Sequence, residues 1–316
     1  MSSTDKARRY GGRSPKRGVK VDDTWPDAFK TDLFALAEHD PLSARLLEAW
    51  ALQAVEHASI RTRRATIDAL AIGLQDDMKA KEWWIKERLE LALTQIAARC
   101  QERPIWCGHS EVVDLSGGSI LTFLSLCQFI WDTHTQLGVV RTPKDALPRI
   151  DDVTQAIGVF KASDYWLKKI AAETGRSGDR FRLVRQAGTV LARNLYADRQ
   201  MSYPGHNGFS LADEELERYP HVKSLLDEMS DYGTIMARPH TTKEKDRRSR
   251  TKFYLNPILC PQFKMHYKIV KEPLYLIPQT IEDWMHDARL PLPATYRRRT
   301  VREEPQMLPL FDNDTQ

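Results

Sequence analysis

Apolar residues recur every three or four positions through most of the chain, a spacing typical of helices with one buried face. Asp40 and Pro41 start the first clear stretch, because Asp caps a helix and Pro suits its first turn. The same spacing predicts helices over residues 40–55, 62–78, 80–100 and 119–138. We therefore expect a helical bundle over residues 26–141. Residues 1–25 have almost no large apolar side chain, so we expect a disordered arm there.

The middle of the chain contains a break with Pro143 and Pro148, which we take as a domain boundary near residue 142. Two short helices are predicted after it, over residues 149–158 and 164–174, and their tight connection resembles a helix-turn-helix. A further helix is predicted over residues 181–198.

In the C-terminal half, the residue pattern changes from that of helices to that of strands. A helix over residues 212–232 ends at Gly233, and residues 234–239 and 251–259 are rich in β-branched and aromatic residues, as strands are. The loop between these strands is polar and basic. This order is similar to the end of a winged-helix domain. The predicted fold is mainly α: the helical bundle, then a C-terminal winged-helix (α+β) DNA-binding domain over residues 142–290, then a flexible tail over residues 291–316.

The net charge of +4 is unevenly distributed. Residues 1–20, residues 243–250 and the arginines at 297–299 and 302 carry net charges of +6, +3 and +4, so the rest of the chain is acidic. Separate basic segments on an acidic chain indicate a localised contact with a polyanion. A solvated charged surface is the simpler alternative.

Double-stranded DNA is the polyanion that we expect as partner, because Lys and Arg on a wing can contact phosphates while the preceding helix enters the major groove. The candidate DNA-binding residues combine the loop with basic residues on nearby helices. They are Lys243, Lys245, Arg247, Arg248, Arg250, Lys168, Lys169, Arg193 and Arg199.

The last segment carries a second candidate site. Residues 306–311 read Gln-Met-Leu-Pro-Leu-Phe and resemble the sliding-clamp-binding peptide of bacterial replication proteins, with one residue more than its commonest form. The resemblance implies that Leu308, Leu310 and Phe311 enter an apolar pocket while Gln306 bonds at its edge. Docking of the tail on its own domain is an equal alternative.

Catalytic and metal-binding motifs are absent from the sequence. It has no Gly-x-x-x-x-Gly-Lys-Ser/Thr phosphate loop and no His-Glu-x-x-His segment. Cys100, Cys107, His109 and Cys127 fit no standard zinc spacing. We therefore expect no enzyme, no metal and no cofactor, and a cytoplasmic protein, because no apolar run approaches the roughly 18–20 residues that span a bilayer.

The function predicted from these features is that of a sequence-specific DNA-binding protein of a mobile element, most plausibly a replication initiator that recruits host replication factors. Its architecture resembles plasmid initiators with winged-helix domains. Formation of a homo-oligomer is left open. The alternatives are a transcriptional regulator, a DNA-recognition subunit of a defence or transposition complex, and a metal-dependent nuclease without a recognisable motif.

Overall fold

The computed structural model describes residues 1–12, 14–137, 149–241, 249–270 and 272–286. Within these ranges the chain is mainly helical, as the apolar spacing predicts, and has one small sheet. The helices are α1 (Ser3–Gly11), α2 (Asp27–His39), α3 (Pro41–His57), α4 (Arg63–Asp68), α5 (Leu74–Lys79), α6 (Glu82–Arg99), α7 (His109–Leu115), α8 (Ile120–Gln136), α9 (Asp152–Ala172), α10 (Ser177–Ala197), α11 (Asp213–Glu217), α12 (Pro220–Asp231) and α13 (Pro278–His286). The strands are β1 (Gly208–Ala212), β2 (Ile235–Thr241), β3 (Ser249–Leu255) and β4 (Leu274–Tyr275).

The N-terminal residues are ordered, which corrects the expectation of a disordered arm over residues 1–25. Ser2 and Asp5 form a reciprocal capping box at the start of α1. Ala7 and Tyr10, three positions apart, are buried among the helices that follow, and the Tyr10 hydroxyl accepts a hydrogen bond from the Ile105 amide at 2.7 Å. Val19 and Trp25 are buried as well, so a few core residues order a segment whose average composition is polar.

A buried ionic cluster joins the N-terminal helices. The fully buried Glu48 carboxylate of α3 accepts a hydrogen bond from Arg99 of α6 at 2.6 Å and lies 3.4 Å from the guanidinium of Arg45, which is also fully buried. The Lys20 amide donates to the same carboxylate at 3.1 Å. Burial raises the pKa of Glu48, but Arg45 and Arg99 outweigh burial and hold this pKa below its ordinary value.

The same helices satisfy the backbone carbonyls at the end of α10. Gln95 donates to the carbonyl oxygens of Leu195 and Asp198 at 2.7 and 2.9 Å, and Arg45 donates to that of Arg199 at 2.6 Å. The last carbonyls of a helix have no partner within the helix, so these side chains replace water there. The C-terminal end of α10 is thereby anchored to α3 and α6.

Helix α9 corrects the predicted helix-turn-helix over residues 149–174. It is one continuous helix of 21 residues, with Asp151 as its N-cap. Residues Lys161, Ala162 and Ser163, taken as a turn, lie inside it, and Ala162 and Ser163 are fully buried. Local sequence tolerates both conformations here, and tertiary packing selects the helix.

The sheet has the strand order β2-β3-β1-β4. The two predicted strands form as β2 and β3 and pair antiparallel, with Ile235 opposite Leu255. Before the predicted helix over residues 212–232, the structure adds strand β1, which was not predicted from the sequence. The predicted helix over 212–232 is in fact two helices, α11 and α12. Gly233 ends α12 with φ +64°, a conformation that glycine adopts without strain.

The predicted division into two domains stays a prediction, since its boundary near residue 142 lies outside the described residues. The buried apolar residues of the described ranges form one connected cluster that runs from Ala7 to Trp284. In these ranges, no helix is long and apolar enough to cross a membrane.

The buried ionic cluster gives the first testable prediction. Glu48→Gln leaves Arg45 buried without a full counter-charge, so we expect the free energy of unfolding to fall by about 3 kcal/mol, measured by urea denaturation. Because the pKa of Glu48 is lower in the folded state, its contribution is complete above the unfolded value of about 4.3 and is lost as pH falls through the folded value. Glu56→Gln, at an exposed position of the same helix, is the control. Equal stability of the two variants would contradict the role of Glu48.

Candidate nucleic-acid interface

The outer face of the sheet carries a row of polar and aromatic side chains. Arg238 of β2 is opposite Lys252 of β3, Lys252 is opposite Ser210 of β1, and Ser210 is opposite Tyr275 of β4. Residues opposite each other in a sheet point to the same side, so these four residues form one row. Arg238 and Tyr275 are exposed and Lys252 is half-buried. The row therefore presents two cations and an aromatic ring to solvent.

The opposite face of the sheet is part of the apolar core. Phe209 and Leu211 of β1 and Phe253 of β3 are buried, and the rings of Phe209 and Phe253 stack with centroids 5.4 Å apart. This alternation fixes which strand residues reach solvent, because a shift of one residue would expose the core side chains.

Arg250 occupies the next position of the outer face but is buried. Its guanidinium donates to the hydroxyl and carbonyl oxygens of Ser210 at 2.9 and 2.8 Å and lies 5.0 Å from the ring centre of Tyr275. The sequence analysis placed Arg250 at the end of an exposed loop. In the structure its guanidinium instead joins β3 to β1 and β4.

The base of the loop between β2 and β3 is attached to the start of α11. The Asp213 carboxylate accepts hydrogen bonds from Ser249, and from the Thr251 hydroxyl at 2.8 Å. Lys243, Lys245, Arg247 and Arg248, predicted to contact DNA, belong to this loop and lie outside the described residues. The described strands on either side bring the two ends of the loop together at the edge of the outer face.

The helix pair α11 and α12 has an acidic exposed side. Asp227 and Asp231 of α12 are exposed and line a shallow open depression of about 540 Å³ with Glu217, Lys223 and neighbouring residues. Lys223, the cation of α12, forms an ion pair with Glu217. A negative helix face repels a phosphate backbone.

The N-terminal end of α12 contacts α13 on one side. His221 of α12 lies 2.7 Å from the Glu282 carboxylate, and the Tyr219 hydroxyl donates to Gln279 at 3.2 Å. The N-terminal turn is the part of a recognition helix that contacts bases in the major groove. Helix α12 therefore lacks the positive charge that favours major-groove docking, and α13 contacts its first turn.

The remaining predicted DNA-binding residues lie on separate elements. Lys168 pairs with Asp164 at 2.8 Å on α9, and Lys169 lies over the ring of Trp166 on the same helix. Arg193 is half-buried on α10. Arg199 follows α10 and donates to the Lys20 carbonyl at 3.2 Å, beside the Glu48 cluster. The structure does not gather these residues into one surface with the sheet.

Arg238, Lys252 and Tyr275 are candidate interface residues that the sequence did not suggest. A usable signal was present, because pairing of the two predicted strands by alternation places every second residue on one face. Arg238, Lys252 and Arg250 then share a face. The partner residues of β1 and β4 could not be inferred without the strand order.

Metal ligands do not assemble in the described part of the chain, where no group of three or more His, Cys, Asp or Glu side chains lies close enough to hold an ion. All four cysteines are free thiols, with Cys107 and Cys260 buried and Cys127 exposed.

Comparison with known proteins gives one family. A family model described as ORC-CDC6-like matches residues 4–276, which is most of the chain and includes the whole sheet. The chain belongs to the ORC-CDC6-like family. This membership indicates a role related to the initiation of DNA replication. No curated protein and no solved structure matches the chain.

Family membership overturns the expectation that the chain is not an enzyme. ORC-CDC6-like proteins belong to the AAA+ ATPases, which are enzymes. The expectation that the chain is not an enzyme rested on the lack of catalytic motifs. The absence of a motif is weak evidence that a member of an enzyme family is not an enzyme.

The residues around Gly117 and Gly118 do not form a phosphate loop that would bind a nucleoside triphosphate. Gly117 and Gly118 have positive φ and precede a helix, as glycines of such loops do. However, α8 then begins with Ser119 as its N-cap, followed by Ile120 and Leu121, where a phosphate-binding helix carries Lys and a hydroxyl. The Ser119 hydroxyl already accepts from the helix itself, at the Thr122 amide. We assign no catalytic step to these residues.

The position of Arg250 is open to test. Arg250→Ala removes several hydrogen bonds to a buried charge, so we expect the free energy of unfolding to fall by about 2–3 kcal/mol in urea. Arg238 lies on the adjacent strand β2, on the same face, and is exposed. Arg238→Ala should therefore change the free energy of unfolding by less than about 0.5 kcal/mol. If Arg250→Ala is as stable as Arg238→Ala, the guanidinium does not join the strands.

Proposed function

We propose that this protein is a replication initiator that contacts double-stranded DNA with a winged-helix module over residues 177–255. The order of elements supports this proposal: helix α10, strand β1, helices α11 and α12, strand β2, a basic loop, and strand β3. The strand order β2-β3-β1 is the one expected of such a module. The family assignment favours replication over transcriptional regulation.

The wing and the outer face of the sheet, rather than α12, carry the DNA contact in this proposal. Arg238 and Lys252 stand on the strands that lead into the basic loop, so their charges add to those of Lys243, Lys245, Arg247 and Arg248. Six cations at one edge would give a salt slope of roughly −5 in a plot of log affinity against log salt. Phosphate contacts of this kind position the protein, and the minor groove is the groove that such a wing can reach.

The C-terminal tail has a separate role in the proposal. Residues 306–311 lie beyond the family match, which ends at residue 276, and outside the described residues. We propose that Gln306, Leu308, Leu310 and Phe311 bind a bacterial sliding clamp, so that DNA binding and recruitment of replication proteins use different parts of one chain. The origin recognised would be that of a mobile element.

Titration of labelled mixed-sequence duplex DNA at several salt concentrations tests the interface. Arg238→Ala with Lys252→Ala removes two of about six contacts, so we expect weaker binding and a salt slope lower by roughly 2. Arg247→Ala with Arg248→Ala should have a similar effect. Lys79→Ala with Lys86→Ala, two exposed cations on α5 and α6, is the matched control and should leave the slope unchanged.

Neutralisation of the acidic residues of α12 tests whether the wing or this helix contacts DNA. Asp227→Asn with Asp231→Asn should leave DNA binding unchanged or make it tighter, because it removes repulsion. Loss of binding in this variant, or equal slopes for the sheet-face and control variants, would contradict the proposed interface.

Deletion of residues 306–311 tests the tail independently. We expect loss of binding to a purified bacterial sliding clamp and unchanged affinity for duplex DNA, both measured by fluorescence anisotropy. Gln306→Ala alone should weaken clamp binding, since its side chain supplies the polar contact. Clamp binding that survives the deletion would remove the tail from the proposal and leave the DNA interface untouched.

A further inference from the structure

Helix α8 has an apolar face that no other described element covers. Ile120, Leu121, Leu124 and Trp131 expose 72%, 59%, 57% and 48% of their surface. Ile120, Leu124 and Trp131 are spaced by four and seven positions and lie on one side of the helix, and Leu121 lies at the edge of that side. An exposed helix face normally carries charged residues, and a contiguous exposed apolar patch marks an interaction surface.

The charge of this face is as unusual as its apolarity. The other exposed positions on the same side are Cys127, Gln128 and Thr135, all uncharged. The acidic and basic side chains of α8 are Asp132 and His134, and His134 is buried. A partner that binds by charge complementarity would find nothing to bind here, so the occupant must itself be apolar and uncharged.

The opposite face of α8 is already occupied. Leu126 and Ile130 are buried against α9, and Gly158 of α9 approaches so closely that an added Cβ would lie 2.5 Å from the Ile130 Cα. This close contact prevents α8 from rotating to bury its outer side within the same chain. The apolar face is therefore a fixed feature of the fold.

We propose that a second copy of this chain covers the face, with the two α8 helices antiparallel across a two-fold axis. An uncharged apolar stripe is complementary to itself, which an isologous interface requires. In this arrangement Ile120 and Leu121 of each copy meet Trp131 of the other. Burial of the four side chains and their surroundings on both copies removes roughly 1,000 Å² from water, about the smallest area of a specific interface.

The antiparallel arrangement places the middle of the stripe at the axis, and Cys127 lies there. Of the four cysteines, Cys127 is the exposed one, while Cys107 and Cys260 are buried and Cys100 is partly buried. The two Cys127 thiols of a dimer would come close enough to be joined. Cys127 thus reports on the geometry and is not needed for the association.

Sedimentation equilibrium of the full-length chain without DNA tests the proposal. The wild type should have the mass of a dimer at micromolar concentration. Leu124→Glu with Trp131→Glu should raise the dissociation constant by roughly 100-fold or more, because Leu124→Glu places a charge near the centre of the interface and Trp131→Glu places one against Ile120 and Leu121 of the other copy. Ile60→Glu with Trp83→Glu, two apolar residues that are exposed elsewhere, is the control and should remain a dimer.

Circular dichroism and the melting temperature show whether each variant is folded, and the substituted positions are exposed, so we expect native values. Oxidation by copper phenanthroline removes two electrons and two protons from a pair of Cys127 thiols to form one disulfide. A covalent dimer should appear in the wild type and be absent in Cys127→Ser, which should still associate without oxidant. A wild type that is monomeric at all concentrations, or a dimer that Leu124→Glu with Trp131→Glu leaves intact, overturns the proposal.

Discussion

The buried carboxylate of Glu48 is the interaction on which much of this fold depends. It is the counter-charge for Arg45 and Arg99 in a region without solvent, and each of these arginines also donates to a backbone carbonyl of another segment. Arg45 thereby reaches Arg199, just after α10. A buried ion pair contributes little net stability compared with apolar side chains of the same volume, but removal of one member is costly. Its value here is positional, because it fixes where α10 ends.

The end of α10 leads into the sheet through a short connection. Residues 198–207 lead from the anchored helix terminus into β1, and within them Asp198 accepts hydrogen bonds from the amides of Ser202 and Tyr203 at 3.1 and 2.7 Å. Strand β1 then pairs with β3, and Arg250 joins β3 to β1 and to the carbonyl that follows β4. Polar contacts thus anchor the end of α10 to the N-terminal helices and, farther along the chain, join the strands of the face that carries Arg238 and Lys252.

Much of this arrangement follows from the sequence, and the failures have physical causes. The apolar period and the residue types predict the helices α3, α6 and α8 and the strands β2 and β3. They do not predict strand β1, because its five residues are all buried and show no alternation. Helix α1 depends on the burial of Ala7 and Tyr10, which is a property of the packed structure rather than of local composition. The continuity of α9 has the same origin.

The candidate site also has a part that the sequence predicts and a part that depends on packing. Sequence locates the basic loop, since charge clusters are visible without a structure. Only the structure shows that Arg250 is buried and that α13 contacts the start of α12. In the proposed interface, the strands flanking the loop, and not α12, meet DNA. Hydrogen–deuterium exchange of the full-length chain with and without duplex DNA tests it most directly. We predict slower exchange on binding in β2, β3 and their connecting loop, with little change in α12. Protection concentrated in α12 or α9, with the sheet unchanged, would contradict it.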